Sequence, residues 1–211
     1  MIYELLFKTR VEETLNHNRE DNTLYVTDLT RCSYRRVLEA RFPDLKLQEC
    51  YNPVLLLGNI VHYGLESFLK YLQEQGYFRK VDVEVEGYKR ITFDDRDGLP
   101  RIITIKGRID SIVYGDDGRF GVEIKSSKSD IGLPYDHHIL QCKIYNWLFD
   151  LSKTILLYVT PERITEYEVS DKLTDEEVVK LILDSRSPKY PWECNYCVFK
   201  SLCPKKRSNS R

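Results

Sequence analysis

An α/β fold, with helices flanking a mixed central sheet, is what the amino-acid sequence predicts. Three observations carry it. Apolar residues recur at helical spacing after Pro53, alternate with charged residues from Val81 and again from Ile102, and return to helical spacing after Pro134. Interleaved helical and strand patterns of this kind place helices against a sheet rather than in a separate bundle. The 211 residues suit one well-packed domain, so residues 1–211 are read as a single unit with a distinct C-terminal segment over 187–204.

Each element has its own signal. Thr27 or Asp28 caps a helix running through Leu29, Cys32, Val37 and Ala40 toward Pro43. A longer helix follows Pro53, with Leu57, Val61, Leu65, Phe68 and Leu72 at helical spacing, and ends near Gly76. Val81, Val83 and Val85 mark a strand that the polar stretch Asp94–Pro100 interrupts. Ile102–Tyr114 and Arg119–Ser126 read as strands joined at Gly115-Asp116-Asp117-Gly118, a hairpin signal. Pro134 opens a helix to about Leu151, and Lys153–Thr160 with Arg163–Val169 forms a strand pair turning at Pro161. Thr174 and Glu177 make a capping box for a helix to about Ser185. The Cys-, Pro- and Lys-rich end from Ser187 is read as irregular.

Composition narrows the function. Hydrophobic residues are 42% and charged residues 31% of the chain, a globular balance rather than a disordered one. Thirty-two Lys and Arg against 33 Asp and Glu leave a net charge of -1, so nucleic-acid binding must come from a local patch. No charged-then-apolar leader and no long apolar run is present, so a cytoplasmic location without membrane contact is expected. In a reducing compartment, six cysteines point to metal ligation before disulfides.

Cys194-x2-Cys197-x5-Cys203-Pro204 is the most specific local signal. Two intervening residues let both sulfurs of a pair turn toward one centre, and the third cysteine follows within one loop. A fourth ligand must come from Cys32, Cys50 or Cys142. Cys32 is chosen because Arg31, Arg35 and Arg36 around it favour a thiolate. Ligation by Cys32 and Cys194 would join the N-terminal and C-terminal parts against a closure entropy of about 4.5 kcal/mol. The spacing leaves zinc and iron–sulfur both open, with the all-sulfur set and the Cys-Pro ending favouring iron–sulfur.

A second constellation lies on the strands. Glu123 and Lys125, two residues apart, point to one face, with Phe120, Val122 and Ile124 on the other, packed one. A two-residue loop at Asp116-Asp117 sets Asp110 opposite Glu123; a turn at Asp117-Gly118 sets it opposite Lys125. Either register puts all three on one face and packs Ile109 and Val113 beside Val122 and Ile124. Facing carboxylates repel unless a cation sits between them, and hard oxygen ligands suit Mg²⁺ or Mn²⁺. A lysine beside such an ion orients water or neutralises phosphate charge, the logic of a metal-dependent phosphodiesterase. His62, in Gly58-x3-His62, adds an imidazole ligand that favours Mn²⁺, with Glu66 one turn later as its supporting partner. Gln141 and Tyr145, one turn apart on the next helix, are placed to hold DNA or the lysine; His137 and His138 are expected in solvent.

Taken in order, Cys32, Gly58-x3-His62, Gly107-Arg108-Ile109-Asp110, Glu123-Ile124-Lys125, Gln141-x3-Tyr145 and the three late cysteines resemble the iron–sulfur RecB-type nucleases of the PD-(D/E)XK superfamily. The short stand-alone form is similar to the CRISPR-associated RecB-family exonucleases, across about Thr27 to Pro204. The resemblance implies a restriction-endonuclease-like core and a hydrolase. It implies His62, Asp110, Glu123 and the Ile124 carbonyl as ligands to Mn²⁺ or Mg²⁺, Lys125 as catalytic lysine, and Gln141 and Tyr145 as the motif of the following helix. Cys32, Cys194, Cys197 and Cys203 would hold a cluster, four-iron in most relatives and two-iron in some. Further implied are single-stranded DNA as substrate, 5′ to 3′ polarity, trimming of fragments before spacer insertion in antiviral defence, and CRISPR integrase proteins as partners, with an oligomer left open. Ile109 stands where the superfamily name has Pro. Lys200, Lys205, Lys206, Arg207 and Arg211, with Arg31, Arg35, Arg36 and Arg41, form the basic patch expected to hold phosphates. The rival reading is a non-catalytic iron–sulfur or zinc scaffold that presents DNA ends to an integration or repair complex.

Overall fold

The computed structural model describes residues 1–16, 19–95, 97–116 and 118–207. Asp117 of the expected turn and Arg211 of the expected basic patch lie outside them. The chain divides into two compact units, one of 1–21, 31–57 and 184–211 and one of 22–30 and 58–183. Helices flank a mixed central sheet, the α/β organisation expected.

The second unit contains the sheet. Its strands are β1 (Thr23–Tyr25), β2 (Lys80–Asp94), β3 (Pro100–Gly115), β4 (Gly118–Ser126), β5 (Thr154–Val159) and β6 (Ile164–Val169). It also contains α2 (Val26–Leu29), most of α5 (Pro53–Glu74), α6 (Asp136–Phe149) and α7 (Asp175–Leu183). Pairings β2–β3, β3–β4 and β5–β6 are antiparallel; β1–β3 and β4–β5 are parallel.

Alternation along the strands sends side chains to two helical layers. Val81, Val113, Val122 and Ile124 pack against Val61, Leu65 and Leu69 of α5. Ile105, Ile109 and Ile112 pack with Ile144, Trp147 and Leu148 of α6 and Val178 of α7. Each such fully buried aliphatic side chain contributes roughly 1.5–3 kcal/mol. The α5 stripe differs from expectation. Leu57 and Phe68 are exposed because the face turned to the sheet is set by Val61, Leu65 and Leu69, and Glu66 is buried beside it. Thr174 and Glu177 exchange both hydrogen bonds of the capping box that starts α7.

One feature of the sheet prepares the site. β2 runs along one edge of β3 from Pro100 to Tyr114. On the other edge β1 meets Thr104–Lys106 and β4 meets Ser111–Gly115, so residues 107–110 have no strand partner there. Two side chains take over the ladder groups at this opening. The Ile124 N–H donates to Asp110 Oδ2 at 2.6 Å, and the Tyr145 hydroxyl donates to the Arg108 carbonyl at 2.7 Å.

The β2–β3 ladder also skips the Glu84–Asp110 position, where Glu84 takes φ 47°, a left-handed conformation that costs a non-glycine residue about 1–2 kcal/mol. The facing of β3 changes here. Ile109 packs with α6 and Val113 with α5, so Ile109 does not lie beside Val122 and Ile124 as simple alternation predicts.

Gly107 borders the opening. A methyl group there would meet Val26 Cγ2 at 2.7 Å, Leu148 Cδ2 at 2.8 Å and Tyr145 Cε1 at 3.0 Å. Gly107→Ala is expected to lower stability by about 1–3 kcal/mol and to displace Tyr145. Equilibrium urea unfolding checks this, and an unchanged midpoint would contradict it.

The first unit contains α1 (Ile2–Asn16), α3 (Arg35–Arg41), α4 (Pro43–Leu47), a short 3-10 turn (Gln48–Tyr51) and α8 (Glu193–Tyr196). The helix expected from Thr27 toward Pro43 is broken between Leu29 and Arg35, so Cys32 lies off the helix. Its backbone is bonded elsewhere. The Cys32 N–H donates to Glu193 Oε1 at 2.6 Å, the Ser33 N–H to the Arg186 carbonyl and the Tyr34 N–H to Ser187 Oγ. Phe7, Leu38 and Phe199 are the buried large apolar side chains of this unit among the described residues.

Candidate active site

Within the second unit, α5, β3, β4 and α6 converge on the opening beside Asp110. The register places Ser111 against Val122 and Gly115 against Gly118, the first of the two alternatives, which carries Asp110 toward Glu123. Glu123 is 2% exposed, and its Oε1 accepts from Lys125 Nζ at 2.6 Å and from Gln141 Nε2 at 2.8 Å. Gln141 Nε2 also donates to the Tyr145 hydroxyl at 3.0 Å. Gln141 and Tyr145 therefore position Glu123 and anchor it to β3; in this structure they do not hold the lysine. Glu123 Oε2 is buried without a hydrogen-bond partner, a state that costs roughly 1–3 kcal/mol.

Asp110 reaches this place from the sheet opening. While Oδ2 holds the Ile124 N–H, Oδ1 stands 3.2 Å from His62 Nδ1. Ligand atoms of His62, Glu66 and Asp110 all lie within 4.8 Å of one another, the one such group of three among the described residues. Glu66, expected as a supporting residue, thus offers an oxygen to the cluster itself. The signal was present in the sequence: His62 and Glu66 are one helical turn apart.

The electrostatics follow from crowding charge into a poorly hydrated place. Burial, opposed by Lys125, pushes the Glu123 carboxyl up to about 7. Burial alone would lower Lys125, but attraction to Glu123 and Asp110 outweighs it and keeps the amine charged. Burial would also lower His62, whose hydrogen bond and charge attraction to Asp110 carry it above its ordinary value. Glu66 is raised by burial and by the neighbouring Asp110 and Glu84 carboxylates. Acid groups held above their normal range and one unsatisfied oxygen describe a site short of positive charge. A divalent cation fits this donor set of carboxylates and imidazole.

His137 and His138 are half-buried rather than solvent groups. His138 Nδ1 lies 2.7 Å from the Tyr158 hydroxyl, and burial followed by the Lys125 charge lowers both imidazoles, His137 to about 4. Cys142 is fully buried on α6, where burial raises its thiol.

In the first unit, Cys32, Cys194, Cys197 and Cys203 line one cavity of about 210 Å³ with Arg35, Trp192, Tyr196 and Lys200. Cys50 sits elsewhere, its sulfur 3.3 Å from Thr14 Oγ1. No disulfide joins any of the six cysteines. Burial raises the Cys197 thiol, and the charge of Arg35 acts against that rise. The nearby arginines are less available for phosphate than the sequence suggests. Arg31 and Arg35 both pair with the buried Glu39, and Arg35 also pairs with Glu49.

Comparison with known proteins gives a consistent answer. No protein-family model matches the chain. It is 43% identical over 211 residues to the CRISPR-associated exonuclease Cas4 of Saccharolobus solfataricus, spanning 98% of this chain and 99% of the relative. The crystal structure of SSO0001 superposes with a TM-score of 0.87 at 42% identity, spanning 99% of this chain and 98% of that one. With a preorganised acid–lysine–histidine site and a relative this similar along its full length, the chain belongs to the CRISPR-associated exonuclease Cas4 family.

Proposed function

We propose that the chain is a divalent-metal-dependent nuclease that trims single-stranded DNA from its ends in the 5′ to 3′ direction, preparing fragments for CRISPR spacer insertion together with integrase proteins. The observation that carries the hydrolytic part is the buried Glu123 carboxylate, fixed by Lys125 and Gln141 and left with one unpartnered oxygen beside Asp110. The exonuclease part is supported by the 43% identical relative, and the strand, polarity and spacer roles by the family resemblance.

His62, Glu66 and Asp110, whose ligand atoms lie within 4.8 Å of one another, would hold the ion, with Glu123 and the Ile124 carbonyl as the further donors that the family resemblance implies. A bound divalent ion supplies Lewis acidity toward the phosphate and lowers the pKa of water. Lys125, with 19% of its side chain exposed, presents a charged donor to phosphate oxygens while its bond to Glu123 fixes its position. Gln141 and Tyr145 keep Glu123 from rotating away. His62 and Asp110 hold one another in orientation.

Lys125→Ala is expected to lower cleavage of end-labelled single strands roughly 10²–10³-fold, with Mn²⁺ affinity changed far less. Quenched-flow cleavage and calorimetric Mn²⁺ titration read the two effects separately. Cleavage at the wild-type rate, or cleavage that survives chelator in the wild type, would overturn the mechanism.

We also propose that Cys32, Cys194, Cys197 and Cys203 hold an iron–sulfur cluster, four-iron before two-iron. The four line one cavity, and an all-sulfur donor set suits a cluster.

A further inference from the structure

We infer that the first unit carries a stacking platform for unpaired bases, built from Tyr190, Trp192 and Tyr196 and flanked by Lys200, Lys205 and Lys206. Tyr190 and Trp192 lie 5.8 Å apart with rings 13° from parallel, and Tyr196 follows 6.4 Å from Trp192 with its ring tilted by 59°. Single exposed aromatics are ordinary on protein surfaces. Here the rings are contiguous, and two of the three stay open to solvent: Tyr196 is 79% exposed and Trp192 41%, while Tyr190 is half-buried.

Charge identifies the occupant. From Cys194 to Arg207 the chain has Lys200, Lys205, Lys206 and Arg207 and no acidic residue. The acid next to the rings, Glu193, is turned inward, accepting from the backbone N–H groups of Cys32, Lys189 and Tyr190 at 2.6, 2.7 and 2.9 Å. Asp184 is likewise taken by Arg186 and Lys189. Exposed rings beside Lys200, Lys205 and Lys206, which line the same cavity as Trp192 and Tyr196, suit a polyanion whose units carry flat apolar faces, which is a single strand of nucleic acid. In a duplex those faces are stacked on one another and closed to the platform. Only the choice of DNA as ligand rests on the nuclease reading; the ring and charge arrangement stands apart from it.

The chain has two tryptophans, and Trp147 is 2% exposed, so quenching by a bound strand reports on Trp192. The test titrates the full chain, with its cysteine site loaded and no divalent ion added, with a thymidine dodecamer and with a blunt duplex of equal length. Expected are quenching by the single strand, binding weakened roughly 5- to 100-fold by Tyr196→Ala, near-wild-type binding by Tyr196→Phe, and unchanged thermal midpoints for both variants. Lys206→Ala should flatten the salt dependence by about one charge. Absence of quenching, equal quenching by duplex, or Tyr196→Ala binding as tightly as wild type would overturn the platform. Cleavage assays on the same variants keep the two readings distinct. A failed platform leaves metal-dependent cleavage in place, and a failed nuclease assignment leaves the quenching intact.

Discussion

Asp110→Asn is expected to reduce turnover on single-stranded DNA at least about a thousandfold, equivalent to about 4 kcal/mol of lost transition-state stabilisation, without unfolding the protein. The substitution keeps an oxygen able to accept from the Ile124 N–H, so the bond that stands in for the missing ladder survives. What disappears is one negative charge facing His62 and lying within ligand distance of Glu66. The metal-free variant should keep about wild-type stability, because the repulsion of Asp110 from Glu66 and Glu123 and its attraction to His62 and Lys125 are lost together. Metal affinity thus falls while stability holds, a pattern that a structural aspartate would not give. Single-turnover cleavage, calorimetric Mn²⁺ titration and thermal unfolding in chelator check the three statements. Cleavage within tenfold of wild type would refute the role of Asp110.

The second large effect concerns the first unit. Cys194→Ser is expected to lower its unfolding midpoint by more than about 10 °C, since ligation of a structural metal is worth roughly 10 kcal/mol or more and each kcal/mol moves a small domain by about 4–8 °C. The physical reason is a thin core. Three separate chain segments are brought together over Phe7, Leu38 and Phe199, with polar links such as Ser33 to Arg186 and Glu193 to Cys32. Such bonds contribute about 1 kcal/mol each, so sulfur ligation is expected to be the main tie. The second unit, whose sheet is buried between α5 and α6, should keep its hydrogen-exchange protection. Visible absorbance and site-resolved exchange follow both units at once. A Cys194→Ser protein with wild-type protection around Cys32 would show that the thiols carry no such load.

Much of the second unit is legible from local pattern. Strict alternation at Val81–Val85 and Phe120–Ile124, the turn after Gly115 and the Thr174–Glu177 box each state their element within a few residues, and hairpin register carries Asp110 toward Glu123. Other parts depend on distant partners. α1 lacks apolar residues at a helical period, and β1, three residues long, is too short to alternate. The break after Leu29 is set by Glu193, Arg186 and Ser187, more than 150 positions away, which no local window contains. The turned facing of β3 at Asp110 coincides with the left-handed Glu84 across the ladder, so alternation alone puts Ile109 on the wrong side. The burial of His138 follows from Tyr158, 20 positions later on β5.

The unzipped span at residues 107–110 sets sheet stability and chemistry in competition. If Ile124 paired with β3 through backbone atoms, the seam would close and Asp110 would lose the neighbour that aims it. Repeated laboratory selection for heat resistance alone should therefore drift toward closure there, yielding hardier but inert descendants. Breeding for speed should keep the seam ajar and gather its compensating substitutions elsewhere.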